Sequence, residues 1–273
     1  MDRLSLKNLI KNNSVSLSKT SDVLYCVFDG NDFDSDRLNI TLEKGCFANL
    51  LLVNYKGNKE LEFNLEDDSS LKIETLFVDA NQSLKMNANV ANNAQISAYL
   101  ADFSEGENNS VVTINLNGEG SSAFWKLASI SKEKDKKTFD VSIIHNAANT
   151  NGLSDNYGVS KDGGDLVFSG ISHIKNGSKF SKTRQNAKIV VFDEGAIARA
   201  RPILKIDENE IEASHGASVG TVNEDQIYYL TSRGIKEELA KQLISLGYIK
   251  PILDGFSDEE IKDQINELIE GRM

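Results

Sequence analysis

The feature that most constrains the fold is a long series of short apolar runs, from about residue 21 to residue 220, in which hydrophobic and polar residues alternate. Examples are Leu61–Leu65, Val112–Leu116 and Phe139–Ile143. Alternation with a period of two predicts β-strands that bury one face. No segment of this region has the apolar stripe of an amphipathic helix, so a fold that alternates strands with helices is not expected.

The turns between these runs depend on glycine and asparagine, because the chain contains only two prolines, Pro202 and Pro251. Asparagine tolerates the left-handed backbone conformations of tight corners, and the stretch 87–94 (NANVANNA) is typical of such corners. The sequence SLKI at 70–73 also returns as SLKM at 83–86. A sandwich, a barrel and a β-solenoid all remain open. The many short strands with polar corners slightly favour the solenoid.

The chain changes character near Asn223, which is a good helix N-cap with Gln226 three residues later. Gly234 is the expected stop of this first helix. A second helix is expected to start near Lys236 and to end at Gly247. Its apolar face is formed by Leu239, Leu243 and Leu246.

A third helix is expected after the capping pair Ser257 and Glu260. Its apolar stripe comprises Ile261, Ile265, Leu268 and Ile269. We therefore predict a short N-terminal segment at 1–20, a mainly β core at 21–222 and a small C-terminal α-helical region at 223–273.

Composition and charge narrow the classes of function. The net charge of −11 argues against a nucleic-acid-binding protein, which would usually be basic. Cys26 and Cys46 are too few and too far apart for a disulfide framework or a zinc site built from cysteines. The N-terminus lacks the apolar core of a signal peptide, and no stretch approaches the roughly 18 apolar residues of a membrane span. We expect a soluble cytoplasmic protein that does not act at a membrane.

Motif searches do not indicate an enzyme. The chain lacks the dinucleotide-binding, phosphate-binding and metalloprotease patterns and the serine nucleophile elbow. A polysaccharide-cleaving β-helix enzyme and a β-helical adhesin are alternative classes. Scattered acidic residues argue against the first, and the missing signal peptide argues against the second.

The three histidines differ in their surroundings. His145 and His173 are interpreted as structural, although the direction in which His173 points is unclear from the pattern. His215 lies among small residues, so another backbone could approach it closely. A neutral imidazole is also a good iron or zinc ligand. From the residues alone, the slightly favoured interpretation of His215 is a strand-end histidine bonded to a carbonyl group.

One short helix carries an unusual concentration of large side chains, in Tyr228, Tyr229, Leu230 and Arg233. Two adjacent tyrosines cannot share one face, because neighbours on a helix are about 100° apart. Such a helix either docks on a partner or closes the end of the β core, and the sequence alone does not decide between them.

Several stretches resemble the SufB/SufD family of iron–sulfur cluster assembly proteins. The resemblance is carried by PILKI at 202–206, ASHGASVG at 213–220 and DQIYYLTSRGI at 225–235, and by the upstream segments 145–159 and 167–202. It is convincing over about residues 140 to 250. The family resemblance implies a right-handed parallel β-helix core flanked by helices, in agreement with the solenoid interpretation.

The resemblance also implies partners and a site. Family members pair through their β-helices, and their C-terminal helices bind the ABC-type ATPase SufC, through which ATP acts on the complex. The matching SufC-binding positions are Tyr228, Tyr229, Leu230, Arg233, Gly234, Ile235, Leu239 and Leu243. His215 matches a histidine proposed to act where the two subunits meet, so it is the candidate metal ligand, shared with the partner chain.

Two features make the chain more SufD-like than SufB-like. It has S-H-G-A where SufB-type chains tend to have E-H-E-A, and the segment 193–202 lacks a cysteine. The implied function is a non-catalytic scaffold that pairs with a SufB-like subunit, holds no stable cofactor alone and contributes to a transient iron–sulfur cluster. The alternative is a minimal SufB-like homodimer that binds the nascent cluster itself.

Overall fold

A computed structural model describes residues 4–30, 35–54 and 56–273. Most of the chain in these ranges is β-strand, and helices are concentrated near the C-terminus. The strands are β1 (Leu4–Ser5), β2 (Ser14–Leu17), β3 (Leu24–Asp29), β4 (Arg37–Leu42), β5 (Phe47–Val53), β6 (Asn58–Leu65), β7 (Ser70–Phe77), β8 (Ser83–Val90), β9 (Gln95–Asp102), β10 (Glu107–Leu116), β11 (Ser122–Lys132), β12 (Lys136–His145), β13 (Asn151–Lys161), β14 (Asp165–Ile174), β15 (Lys182–Val191), β16 (Ile197–Ile206) and β17 (Glu212–Gly220). The helices are α1 (Glu224–Thr231), α2 (Glu237–Ile249) and α3 (Glu259–Arg272), with short 3-10 helices at Leu6–Asn8 and Lys250–Gly255.

The strands form two parallel sheets whose order follows the chain. Odd-numbered strands make one sheet and even-numbered strands the other, so each coil of the chain adds one strand to each sheet. This arrangement is a β-solenoid, which confirms the mainly β prediction and decides against the sandwich. The first strands, β1 and β2, lie within the segment 1–20 that the sequence analysis separated from the core.

The core lies between the two sheets and is built from the alternation seen in the sequence. In β6, Leu61, Phe63 and Leu65 are buried and their neighbours are partly exposed. Full burial of side chains of this size contributes roughly 1.5–3 kcal/mol each. Each inward position stacks on the equivalent position of the next coil, as Phe63 does on Ala88. The apolar columns of successive coils thereby become one continuous core.

The corners use the asparagines that the composition suggested. Asn93 has a φ of 53°, in the left-handed region. The first half of the stretch 87–94, however, is strand and not corner. Asn89 lies on the outer face of β8, donates to Asn64 of the preceding coil and accepts from Asn115 of the next, at 3.0 and 3.3 Å. These amide bonds add side-chain contacts between coils to the backbone ladder.

The C-terminal helices pack on the outer face of the odd-numbered sheet. Buried side chains of α2, the following 3-10 helix and α3 meet a second apolar cluster formed by outward residues of β7, β9, β11, β13 and β15. Examples are Ile249 and Ile265 on the helical side and Leu76 and Ile130 on the sheet side. The helical region therefore spans several coils along one side of the solenoid.

Polar anchors fix this packing. The carboxylate of Glu74 is fully buried and accepts from the backbone N–H and the hydroxyl of Ser257, at 2.9 and 2.7 Å. The ammonium group of Lys72 lies 3.0 Å from the same carboxylate. Farther along the solenoid, Lys126 donates to the carbonyl of Pro251 at 2.7 Å. Breaking such a buried contact leaves an unpaired polar group, which costs about 1–3 kcal/mol.

Two helix predictions need correction. Gly247 does not end the second helix, because α2 continues to Ile249 and leads directly into the 3-10 helix. The third helix is capped by Asp258, whose side chain accepts from the N–H groups of Glu260 and Ile261. Ser257 is instead bound to Glu74 of the solenoid. A serine beside a helix start can serve a tertiary contact as well as a cap, and the sequence does not distinguish the two.

The coil stacking predicts a steric requirement at Gly118. A β-carbon there would overlap the backbone of Asn92 in the preceding coil. We expect Gly118→Ala to lower the free energy of unfolding by about 1–3 kcal/mol, because overpacking forces the backbone to move. Denaturant titration followed by circular dichroism measures the change.

Gly247→Ala is the matched control. Nothing lies within contact distance of a β-carbon at Gly247, and the residue is inside α2. Replacing a helical glycine by alanine should raise stability by about 0.5–1 kcal/mol. If both alanine variants shifted stability in the same direction, the close approach of coils at Gly118 would not be the cause.

Candidate functional site at the open end of the solenoid

The two ends of the solenoid differ. At the start of the chain, the 3-10 helix at Leu6–Asn8 places the side chain of Leu6 inside the core, where it is fully buried. At the other end, β16 and β17 are the last strands of their sheets. Across the described ranges no further strand pairs with their outer edges. Their free backbone N–H and C=O groups form a template for another strand.

The inward side of this last coil is only partly covered. Ala198 and Ala200 still pack against the core. Farther along β16, Leu204 is half-buried and Ile206 is exposed, and Val219 on β17 is exposed as well. These side chains occupy positions that are buried in the preceding coils, at Ser172, Ile174 and Ile189. The open end is thus a core surface without its next layer.

His215 belongs to this surface. It lies in the middle of β17, opposite Gln185 of β15, whose side chain is buried inside the coil. By this register His215 occupies an inward position of the terminal coil, and it is exposed. Among the described residues no hydrogen bond to its imidazole ring is seen. The ring is therefore available to a ligand or a partner that covers the end.

The interior next to His215 is polar. The column that leads to His215 runs through Trp125, Ser154 and Gln185 of successive odd strands. The Gln185 amide donates to the hydroxyl of Ser172 at 2.7 Å and to the carbonyl of Ile203 at 3.1 Å. The last coils therefore replace part of the apolar core with a hydrogen-bonded network that ends below the exposed edge.

A shallow pocket of about 400 Å³ borders β17, and His215 is one of its lining residues. Its polar lining includes Asp155, Tyr157, Arg184 and Asn186, and the amide of Asn186 donates to the hydroxyl of Tyr157 at 3.2 Å. Asp155, 3.7 Å from Arg184, partly neutralises the guanidinium group. The small side chains of β17 thus leave open space on both faces of the edge strand.

The other two histidines have structural partners, as expected. His145 is fully buried at the end of β12, and its Nδ1 lies 2.7 Å from the hydroxyl of Thr150. Burial lowers the pKa of His145 from 6.5 to about 4. His173 faces outward on β14, and its Nε2 lies 2.7 Å from Asp207. The hydrogen bond from His173 lowers the pKa of the Asp207 carboxyl group.

Large side chains of the first two helices remain uncovered. Tyr228 is 76% exposed, and Tyr229, Leu239 and Leu243 are also exposed. The face expected to be the apolar face of the second helix is therefore largely free. The α2 residues that are fully buried are Ala240, Ser245 and Ile249.

The first helix is well defined at both ends. Asn223 accepts from the N–H of Gln226, which confirms the expected cap. Gly234 has a φ of 85°, and the bonds Gly234 N–H to Thr231 and Ile235 N–H to Leu230 form a Schellman motif. The C-terminal stop at Gly234 is therefore confirmed. Leu230 and Ile235 are only partly buried.

The guanidinium group of Arg233 stacks over the ring of Tyr229, with its carbon 4.5 Å from the ring centroid. A groove of about 450 Å³ lies between α1, α2 and the exit of the solenoid, lined by Phe192, Val222 and Ile227 among others. Because α1 has no buried residue, it stands on the surface as a projection from the firmly docked α2–α3 region.

The described parts of the chain contain no group of three or more histidine, cysteine or acidic side chains arranged to hold a metal ion.

None of the described helices combines the length and apolar character needed to cross a membrane.

The fold and this end surface define a parallel β-solenoid with one open end and a docked helical region. The family model of the SUF system FeS cluster assembly SufBD core domain matches residues 29–248, which is most of the chain. The chain therefore belongs to the SufBD family of iron–sulfur cluster assembly proteins. It is SufD-like among the relatives compared.

The relatives agree with this assignment. The chain is 33% identical over 180 residues to the iron–sulfur cluster assembly protein SufD of Bacillus subtilis, which covers 66% of this chain and 41% of that protein. It is 30% identical over 161 residues to a SufBD family protein of Staphylococcus saprophyticus, covering 58% of this chain and 34% of the relative. The match thus spans well under half the length of these relatives.

Sequence reasoning missed the polar column below His215. Ser154, Asn156 and Gln185 occupy inward positions, where a period-two pattern predicts apolar residues. Trp125 donates to Asn156 at 2.9 Å, so the network reaches one coil deeper. The only sign of it in the sequence is the weak alternation of apolar and polar residues at 151–160. That pattern does not show that the polar residues face inward, because their hydrogen-bond partners lie on other coils.

The buried His145 predicts a pH-dependent stability. Its folded-state pKa of about 4 lies below the usual 6.5, so the unfolded chain binds a proton that the folded chain does not. We expect the free energy of unfolding to fall as the pH drops from about 6.5 to about 4, by up to about 3 kcal/mol from this group. Denaturant titrations at several pH values measure the loss.

The variant His145→Gln should lose this part of the pH dependence, whereas His173→Gln should retain it. The attribution to His145 would be contradicted if the unfolding free energies of the wild type and of His145→Gln changed equally between pH 6.5 and pH 4.

Proposed function

We propose that this chain is a non-catalytic scaffold subunit that pairs, SufD-like, with a SufB-type subunit. The pairing surface is the open end formed by β16 and β17. The C-terminal helices bind a SufC-type ATPase, and a nascent iron–sulfur cluster forms as cargo where the two scaffold subunits meet. Membership of the SufBD family and the similarity to SufD support a role in iron–sulfur cluster assembly. The uncovered last coil supports pairing through the end of the solenoid.

The observation that carries the proposal is the uncovered terminal coil. Strands β16 and β17 leave unpaired backbone groups at two sheet edges, and Leu204, Ile206 and Val219 lie beside them without a covering layer. A second solenoid that docks end to end would pair the edges and bury these side chains together. Backbone hydrogen bonds and apolar burial would then act in the same interface.

His215 is proposed as one ligand of the cargo. It lies on the pairing edge, in an inward position, and its ring is exposed. A neutral imidazole coordinates iron well, and a cluster needs further thiolate or carboxylate ligands. The partner subunit would supply those ligands, so assembly of the pair and formation of the ligand set become one event.

The helical region is proposed as the ATPase-binding element. Tyr228, Tyr229, Leu239 and Leu243 form an exposed aromatic and aliphatic surface on α1 and α2. Aromatic residues of this kind are frequent anchors in protein interfaces. The α2–α3 region is tied to the solenoid through Glu74 and Ser257, so a displacement of the bound ATPase would be passed to the solenoid. ATP acts only through a difference in the ATPase's affinity for two scaffold arrangements.

Light scattering of mixtures tests the assembly. We expect this chain, a SufB-type subunit and the ATPase to form a complex with one copy of each scaffold subunit and two ATPase copies. A homodimer that ignores the SufB-type subunit but binds the ATPase would support the minimal SufB-like alternative. Binding to neither protein would refute the scaffold role.

His215→Ala should separate assembly from cluster formation. We expect the complex to form with unchanged mass, while the visible absorbance and the iron content after reconstitution fall by about tenfold or more, because one ligand is lost. Ser218→Ala, on the same strand, is the matched control and should keep both. A full cluster yield in the His215→Ala complex would exclude the histidine as a ligand.

Removing the exposed helix side chains should weaken ATPase binding. We expect Tyr228→Ser combined with Leu239→Ser to raise the dissociation constant by about 30-fold or more, as for loss of interface anchors worth about 2 kcal/mol. Calorimetric titration with the ATPase measures it. Val111→Ser, which replaces an exposed apolar residue of β10 in the even-numbered sheet, should leave the affinity unchanged.

A further inference from the structure

The two strands of the open end carry different charges. Within Ile197–Ile206, β16 contains Arg199, Arg201 and Lys205 and no acidic residue, although the whole chain has 41 acidic and 30 basic residues. Strand β17 carries a single acidic residue, Glu212, at its start and is otherwise made mostly of small side chains. The β16 edge is therefore a local basic strip on an acidic protein.

The three cations share one face of the strand. Ala198 and Ala200 pack inward, so the odd-numbered residues of β16 face outward. Between Arg201 and Lys205 on this face lies Ile203, which is 51% exposed and sits opposite Ile171 of β14, which is 39% exposed. The helical region covers the other sheet, so these side chains stay uncovered by the described parts of the chain.

Only part of this positive charge is neutralised within the chain. Arg199 forms an ion pair with Asp165 at 2.9 Å. Asp207, the acidic group near Lys205, is held by His173 at 2.7 Å. The described residues form no ion pair with Arg201 or Lys205. The strip thus offers two cations around an exposed isoleucine.

We propose that the β16 edge selects a partner strand that bears acidic side chains on its outward face and that it disfavours a second copy of this chain. The inference rests on the proposed end-to-end pairing and specifies the chemistry of the partner. The occupant is an edge strand of a different chain, with carboxylates opposite Arg201 and Lys205 and an apolar residue against Ile203.

Antiparallel self-pairing brings like charges together in the registers that overlap over most of β16. Directly opposed residues of antiparallel strands point to the same side of the sheet, so outward residues of one copy oppose outward residues of the other. Pairing centred on Arg201 opposes that residue with itself. Pairing centred on Pro202 opposes Arg199 with Lys205, and pairing centred on Ile203 opposes Arg201 with Lys205. Each of these three registers places like charges together, which is destabilising.

The charges on β16 determine which partner strand is favoured. Pro202 lacks an N–H group, which is tolerated at a sheet edge and reduces the hydrogen bonds that β16 can offer. The backbone of β16 therefore contributes less to pairing than that of β17. Its cations repel a copy of the same strand and attract an acidic one, so they contribute to specificity more than to affinity.

A charge-reversed copy of this chain is the probe. The double variant R201E/K205E converts at least one like-charge contact in each of these registers into an opposite-charge contact. We expect a 1:1 mixture of wild type and R201E/K205E to associate about tenfold more tightly than either protein alone at low ionic strength. Analytical ultracentrifugation with one protein fluorescently labelled measures the mixed species.

The double variant K85E/K136E is the matched control, because it changes the net charge equally at two exposed lysines of the even-numbered sheet, away from the open end. Its mixture with wild type should not associate more tightly than the separate proteins. The gain for R201E/K205E should shrink near 1 M salt, where the screening length falls to about 3 Å.

Equal association of the R201E/K205E mixture, the K85E/K136E mixture and the wild type alone would overturn the inference, and so would a tight wild-type homodimer. The proposed function is tested separately by the mass of the complex with the SufB-type subunit. That complex could form normally while the charge test fails, and the mixed dimer could form while the SufB-type subunit does not bind.

Discussion

The parallel backbone pairing of each coil with the next is the interaction on which the rest of this structure depends. It stacks inward side chains into continuous columns, and it leaves an edge wherever the chain stops adding coils. A buried column cannot end in water without exposing core surface. The chain covers one end with Leu6 and leaves the other end uncovered at β16 and β17. The candidate site is a direct result of that asymmetry.

The helical region gives the coils a second connection. In a solenoid, each repeat normally contacts only its neighbours. Here a single packed region touches β7 through Glu74, β11 through Lys126 and β15 through the ring of Tyr248, which lies 3.6 Å from the ammonium group of Lys188. Coils that share no strand pairing thus share a common support. The helical region therefore links coils that have no direct contact with one another through backbone pairing.

Period-two alternation predicted the strands because inward residues such as Phe63 and Ile114 are apolar in nearly every coil. The first helix was predicted with its cap and stop because both are local interactions, at Asn223 and Gly234. The Glu74–Ser257 contact was not predictable, because it joins residues 183 positions apart. The exposure of His215 was not predictable either, because it results from the position of β17 as the last strand of its sheet.

The buried Leu6 gives the two ends of the described solenoid unequal surfaces for stacking. Strands β1 and β2 are edge strands of their sheets just as β16 and β17 are. Strand edges can recruit copies of a chain, which is the geometry of a fibril. At β16 and β17 such an edge lies beside exposed core positions such as Val219, whereas Leu6 covers part of the core at the other end, so apolar burial favours stacking at β16 and β17.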